Sequence, residues 1–117
     1  MFESGPAELF FMPDNNLVYR NIDSIRDEVM SSISDAPDSW ELFVVDLTNV
    51  FTVDVLGIQL ISEFYKITRD QNKKFMLINV REDLLRYLQL FRLHTKFPIG
   101  LNKTSAQLKA EGSQNAH

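Results

Sequence analysis

Asp46 and Asp54 flank one loop and are the two side chains best spaced to do chemistry. Their oxygens could hold a hard divalent cation. The structural reading is preferred: Asp46 ends a strand, and Asp54 caps the helix that follows. The histidines, His94 and His117, lack the spacing of a metal-binding pair, and His94 reads as a partner for a helix C-terminus. There are no cysteines, which excludes disulfides and thiolate metal sites and fits a reducing compartment. Gly57 stands alone, so no glycine-rich loop cradles a phosphate. The expectation from this inventory is no cofactor, no metal centre and no catalytic function.

The elements that must position these residues follow from patterning. Leu42–Leu47 is continuously apolar up to Asp46, as in a central strand covered on both faces. A polar loop then leads to a helix from about Val55 to Asp70, with Leu60, Phe64 and Ile67 on one stripe. Phe75–Asn79 reads as a second buried strand, and Arg81 to about Leu90 as a helix turning Leu84, Leu85, Leu88 and Phe91 inward. Upstream, Glu8–Met12 and Leu17–Tyr19 flank the turn formers Pro13, Asp14, Asn15 and Asn16, which predicts a hairpin. Asn21 is the expected N-cap of a helix through about Ser34, with Ile22, Ile25, Val29 and Ile33 as its apolar face. Phe97–Ile99 is a candidate edge strand, Thr104–Ala110 a terminal helix and 111–117 a frayed tail. Phe10, Phe11, Phe43, Phe64, Phe75 and Phe91 all fall at expected core positions.

This order predicts an α/β domain over 1–110, with a mixed central sheet of four to five strands and about four helices. No run approaches the roughly 20 apolar residues of a membrane span, and no signal segment opens the chain, so a cytoplasmic location without membrane insertion is expected. The net charge of −4 argues against nucleic acid as a partner. Its distribution is uneven: residues 1–62 hold 11 acidic and 2 basic side chains, whereas 63–110 hold 4 acidic and 10 basic ones. That asymmetry is either two solvated faces or a dipole that steers a charged partner or a second copy.

Val44–Gly57, reading VVDLTNVFTVDVLG, resembles the central segment of STAS domains, the fold of anti-sigma factor antagonists. That pattern is a hydrophobic strand ending in Asp-Leu-Ser, a short loop, Asp-Ser-Ser-Gly or a variant, and an apolar helix. Phe75–Val80 is similar to the family's next strand, and Leu88–Ile99 to its leucine-rich ending. The resemblance covers roughly residues 8–110. It implies that Thr48, Asn49, Thr52, Asp54, Val55, Leu56, Gly57 and Gln59 form a partner-binding surface.

In the family, a serine or threonine just before this glycine is typically phosphorylated by a partner kinase, and the added dianion releases the partner. Here the two hydroxyl positions are Val55 and Leu56, and Gln59 stands where a second glycine is often found. Leu56, the phosphosite equivalent, cannot accept phosphate. The switch is therefore absent, or has moved to Thr48 or Thr52. Leu56 itself either continues the core stripe or anchors a partner at the surface.

The leading expectation from the resemblance is a regulatory module that docks an anti-sigma factor or a GHKL-type serine kinase in signal transduction and transcription regulation. The alternatives are an accessory subunit of a membrane transport complex, such as a phospholipid-trafficking ABC system, and a homodimer or assembly domain.

Overall fold

The computed structural model describes residues 7–100. Three strands, β1 (Glu8–Phe11), β2 (Leu42–Asp46) and β3 (Lys74–Ile78), lie side by side in chain order, and both pairings are parallel. Parallel neighbours need a long crossover, supplied here by α1 (Tyr19–Asp35) and α2 (Val55–Asp70). After β3 come α3 (Glu82–Leu90) and a 3₁₀ turn, Leu93–Thr95.

Side chains alternate across the sheet and divide the core in two. On one face Phe43, Val45, Phe75 and Leu77 meet Ile22, Ile25 and Val29 of α1 and Leu60, Ile61 and Phe64 of α2. Phe43 lies at the centre of this larger core, with its ring edge-on to Trp40 and Phe64 and tilted against Phe75. On the other face Leu42, Val44, Met76 and Ile78 form a smaller cluster.

The α/β class holds, but three finer expectations need correction. The sheet is parallel and not mixed, and the described residues contain three strands and three α-helices, fewer than expected. The candidate edge strand at Phe97–Ile99 reduces to one parallel bridge, Leu77 to Ile99. Pro98 has no N–H to extend a ladder, although its carbonyl accepts from Leu77 N–H at 3.1 Å. The hairpin does not form. Leu17 instead bridges Val53 in parallel, and the chain passes from that bridge directly into α1.

Helix α1 therefore starts at Tyr19, two residues before the expected cap, and Val18 occupies the N-cap position without a side-chain bond. Asn21 lies inside the helix, where its Nδ2 donates to the Asn16 carbonyl. Two expected core aromatics are exposed. Phe10 sits on the edge strand β1, on the sheet face opposite α1 and α2, and Phe91 follows the last residue of α3, edge-on to Tyr87. The proposed Thr104–Ala110 helix and the 111–117 tail lie outside the described residues.

Candidate functional site

The β2–α2 loop lies at the carboxyl end of the parallel strands, where connecting loops are free of the sheet and ligands or partners are commonly met. Its inner side is closely fixed. Leu17 N–H donates to Thr52 O at 3.1 Å, and Asp54 N–H returns a bond to Leu17 O at 3.2 Å. Asn16 Oδ1 accepts from both Phe51 N–H (2.8 Å) and Thr52 N–H (3.1 Å). The segment before α1 and the segment before α2 are thereby stitched together.

Asp54 completes the seam. One carboxylate oxygen accepts from Gly57 N–H at 2.9 Å, capping α2. The other accepts from Tyr19 N–H at 2.9 Å, at the first residue of α1. A single side chain thus serves two helix N-termini, which explains how α1 begins without a cap of its own. The bonds from Gly57 and then Tyr19 hold the Asp54 carboxyl below the usual aspartate range.

Gly57 is required by close approach. A Cβ placed there would lie 2.1 Å from Leu17 O and 2.8 Å from Val53 Cγ1. No side chain fits without moving α2 off the Leu17–Val53 bridge.

Asp46 has a similar role at the end of β2. Its carboxylate accepts from the backbone N–H and hydroxyl of Thr48 and from Asn79 Nδ2, tying that strand end to the residue after β3. Both aspartates are thus engaged in holding backbone and loop. Among the described residues, no group of three or more His, Asp or Glu side chains could hold a metal ion.

The outer side of the loop differs in character. Thr48, Asn49, Thr52, Val55, Leu56 and Gln59 are exposed, Asp54 is partly covered and Gly57 is buried. The two placements considered for Leu56 resolve toward the surface, where it is 38% exposed. The buried residues of α2 are Gly57, Ile58, Leu60, Ile61, Phe64 and Thr68, and Leu56 lies one turn before Leu60 beside the exposed Val55. The Thr48 hydroxyl is turned to Asp46. Beside the expected residues stand three that sequence reasoning missed: Phe51 (60% exposed), Tyr19 and Arg81. The Arg81 guanidinium lies 3.9 Å from the centre of the Phe51 ring, a cation–π contact between the β2–α2 loop and the start of α3. An aromatic in a polar loop was the available signal for Phe51. Nothing in the sequence pairs it with Arg81.

A parallel α/β sheet, with a helix-capping aspartate and an obligatory glycine after its central strand, defines the class of this molecule. The chain belongs to the STAS domain family, whose family model matches residues 3–106. Among curated proteins it is similar to the probable sulfate transporter 3.5 of Arabidopsis thaliana, with 29% identity over 72 residues. That match spans 62% of this chain and only 11% of the relative. Among solved structures it resembles murine Solute Carrier 26 family member A9, an anion transporter in the inward-facing state, with a TM-score of 0.74 and 13% identity over 94% of this chain and 18% of that one. It also resembles a sulfate transporter family protein from Wolinella succinogenes, with a TM-score of 0.69 and 13% identity over 89% of this chain and 88% of that one.

These relatives correct the leading functional expectation. The matched proteins are sulfate and anion transporters, which overturns assignment to the anti-sigma factor antagonists and to transcription regulation. The residues at 55 and 56 agree with the correction, because an apolar pair cannot run a phosphorylation switch. Among the described residues, no helix is long and apolar enough to cross a membrane.

Proposed function

We propose that this STAS domain is a non-catalytic docking module of an anion-transport system, acting at the cytoplasmic side of the membrane on a transport protein. The observation that carries this reading is the 29% identity over 72 residues with a probable sulfate transporter. The fold likeness to two further transporter structures is consistent with it. The contact surface in this reading is the outer side of the α2 start, formed by Phe51, Val55, Leu56 and Gln59 with Arg81 beside them. Gln59 lies one turn beyond Val55 and Leu56, so the three share one helix face. Apolar anchors with an arginine and an aromatic are the composition of an interface centre.

The test is to remove the domain in the native host and follow uptake of labelled sulfate and other anions, while recovering membrane proteins that co-purify with the tagged chain. A change in uptake together with a transporter in the eluate supports the reading. Unchanged uptake of every anion tried, with no membrane protein recovered, would overturn it.

A further inference from the structure

A second surface adjoins the α2 start and shares Val55 and Gln59 with it. Between α2 and the 3₁₀ turn runs an open groove of about 450 Å³. Ile58 and Leu93 line its buried side, Val55 and Phe91 expose apolar surface along it, and Lys66 and Lys96 stand at its rim. Glu63 also lines the groove, but its carboxylate is taken by Arg26 of α1 through two bonds of 3.0 Å. The groove therefore joins an apolar floor to the neutral polar side chains Gln59 and Ser62, and its two rim lysines have no ion pair among the described residues.

The complementary surface is on the same chain. The outer side of α1 presents Asp23, Asp27, Met30 and Ser34 at spacings of four, three and four residues, which is one stripe of a helix. All four are exposed. Of the two aspartates, only Asp23 has an ion-pair partner among the described residues, Arg26. Met30 is thus an exposed apolar side chain set in an acidic stripe, the reverse of a groove with an apolar floor and a basic rim.

We infer that the groove of one copy receives the acidic stripe of α1 from a second copy, with Met30 seated against Val55 and Phe91 and the aspartates meeting Lys66 and Lys96. A chain cannot satisfy this contact by itself. Its own α1 packs on α2 through the opposite side, by Ile22, Ile25 and Val29, which turns the stripe away. The two patches differ, so the contact is head to tail, and each bound copy leaves one groove and one stripe open.

The purified chain alone tests this, with no transporter present, so failure here leaves the docking reading intact. Sedimentation equilibrium is run at about 0.01 M and about 1 M salt, where charges are screened over roughly 30 Å and 3 Å. Self-association at low salt that weakens roughly tenfold or more at high salt is expected. Two double variants follow, Lys66→Glu with Lys96→Glu on the groove and Asp23→Lys with Asp27→Lys on the stripe, each checked for folding by circular dichroism. Each is expected to be monomeric alone. Their equimolar mixture is expected to associate again, because the intact groove of one meets the intact stripe of the other and the two reversed patches are complementary as well. A wild-type monomer at both salts, association indifferent to both variants, or a mixture that stays monomeric would each overturn the inference.

Discussion

The two sides of the first turn of α2 are built under different rules. On the inner side, Gly57 approaches Leu17 O so closely that no Cβ fits, and Asp54 divides its oxygens between two helices. On the outer side, one residue away, Val55 and Leu56 face solvent and no buried packing dictates their type. The pattern resembling other STAS domains survives where backbone geometry demands it and is lost where only partner chemistry would have demanded a hydroxyl. Adjacent residues can thus be fixed and free, depending on which way the helix turns them.

The sharpest way to break this contrast is Gly57→Ala. The inner side predicts a loss on the order of 3 kcal/mol, because Leu17 O is backbone and cannot step aside. Urea unfolding reads it directly, and an unchanged midpoint would mean that the seam is not close-packed.

Asp54→Asn should cost less than the glycine change. The two bonds fall on different carboxylate oxygens, one of which becomes an NH2 donor in the amide, so in this geometry it can serve Gly57 or Tyr19 but not both. It also removes a pH dependence whose sign is fixed. The Asp54 carboxyl is held below its unfolded value, so its contribution is complete above the ordinary aspartate range and is lost as pH falls through the folded value. Thermal melts of the wild type and variant should converge as the pH is lowered through that window. A constant gap between them would contradict the assignment.

Smaller effects belong to the outer side. Arg81→Ala removes the cation over Phe51 and should cost about 0.5–1 kcal/mol, measurable as a shift in urea midpoint. Leu56→Glu should change stability by no more than about 0.5 kcal/mol, since the side chain is exposed. The same substitution should markedly reduce recovery of the transport partner in co-purification. A destabilised Leu56→Glu, or one that binds as well as wild type, would erase the distinction between the two sides.

How much of this was legible in the sequence depends on how local the cause was. The expected helix over Val55–Asp70 is the observed one, because Asp54, Gly57 and the apolar stripe all act within a few turns. β2 and β3 differ from expectation by a single residue at their ends, since a continuous apolar run marks a buried strand. The region before α1 was misread for the opposite reason. Pro13–Asn16 has the composition of a hairpin turn, but Asn16 directs its carboxamide at Phe51 and Thr52, and no local rule points to partners that distant. The start of α1 failed with it, because the missing acceptor comes from Asp54. Leu56 could not be placed from periodicity alone. It follows the spacing of Leu60 and Phe64, yet it is exposed where both of those are buried.

The shared carboxylate also has a consequence in time. The bonds from Tyr19 to Asp54 and from Phe51 and Thr52 to Asn16 join residues 35 and 36 positions apart. Closing so long a loop costs chain entropy; the pairing of β1 with β2 closes one of nearly the same length and buries apolar side chains in return, so the seam bonds are expected to follow that pairing. Contacts made after the folding barrier leave the folding rate nearly unchanged and set the rate of opening. The seam is then a clasp whose strength is read in the lifetime of the native state. Anything that draws Asp54 away from either helix would shorten that lifetime while leaving the speed of folding almost untouched.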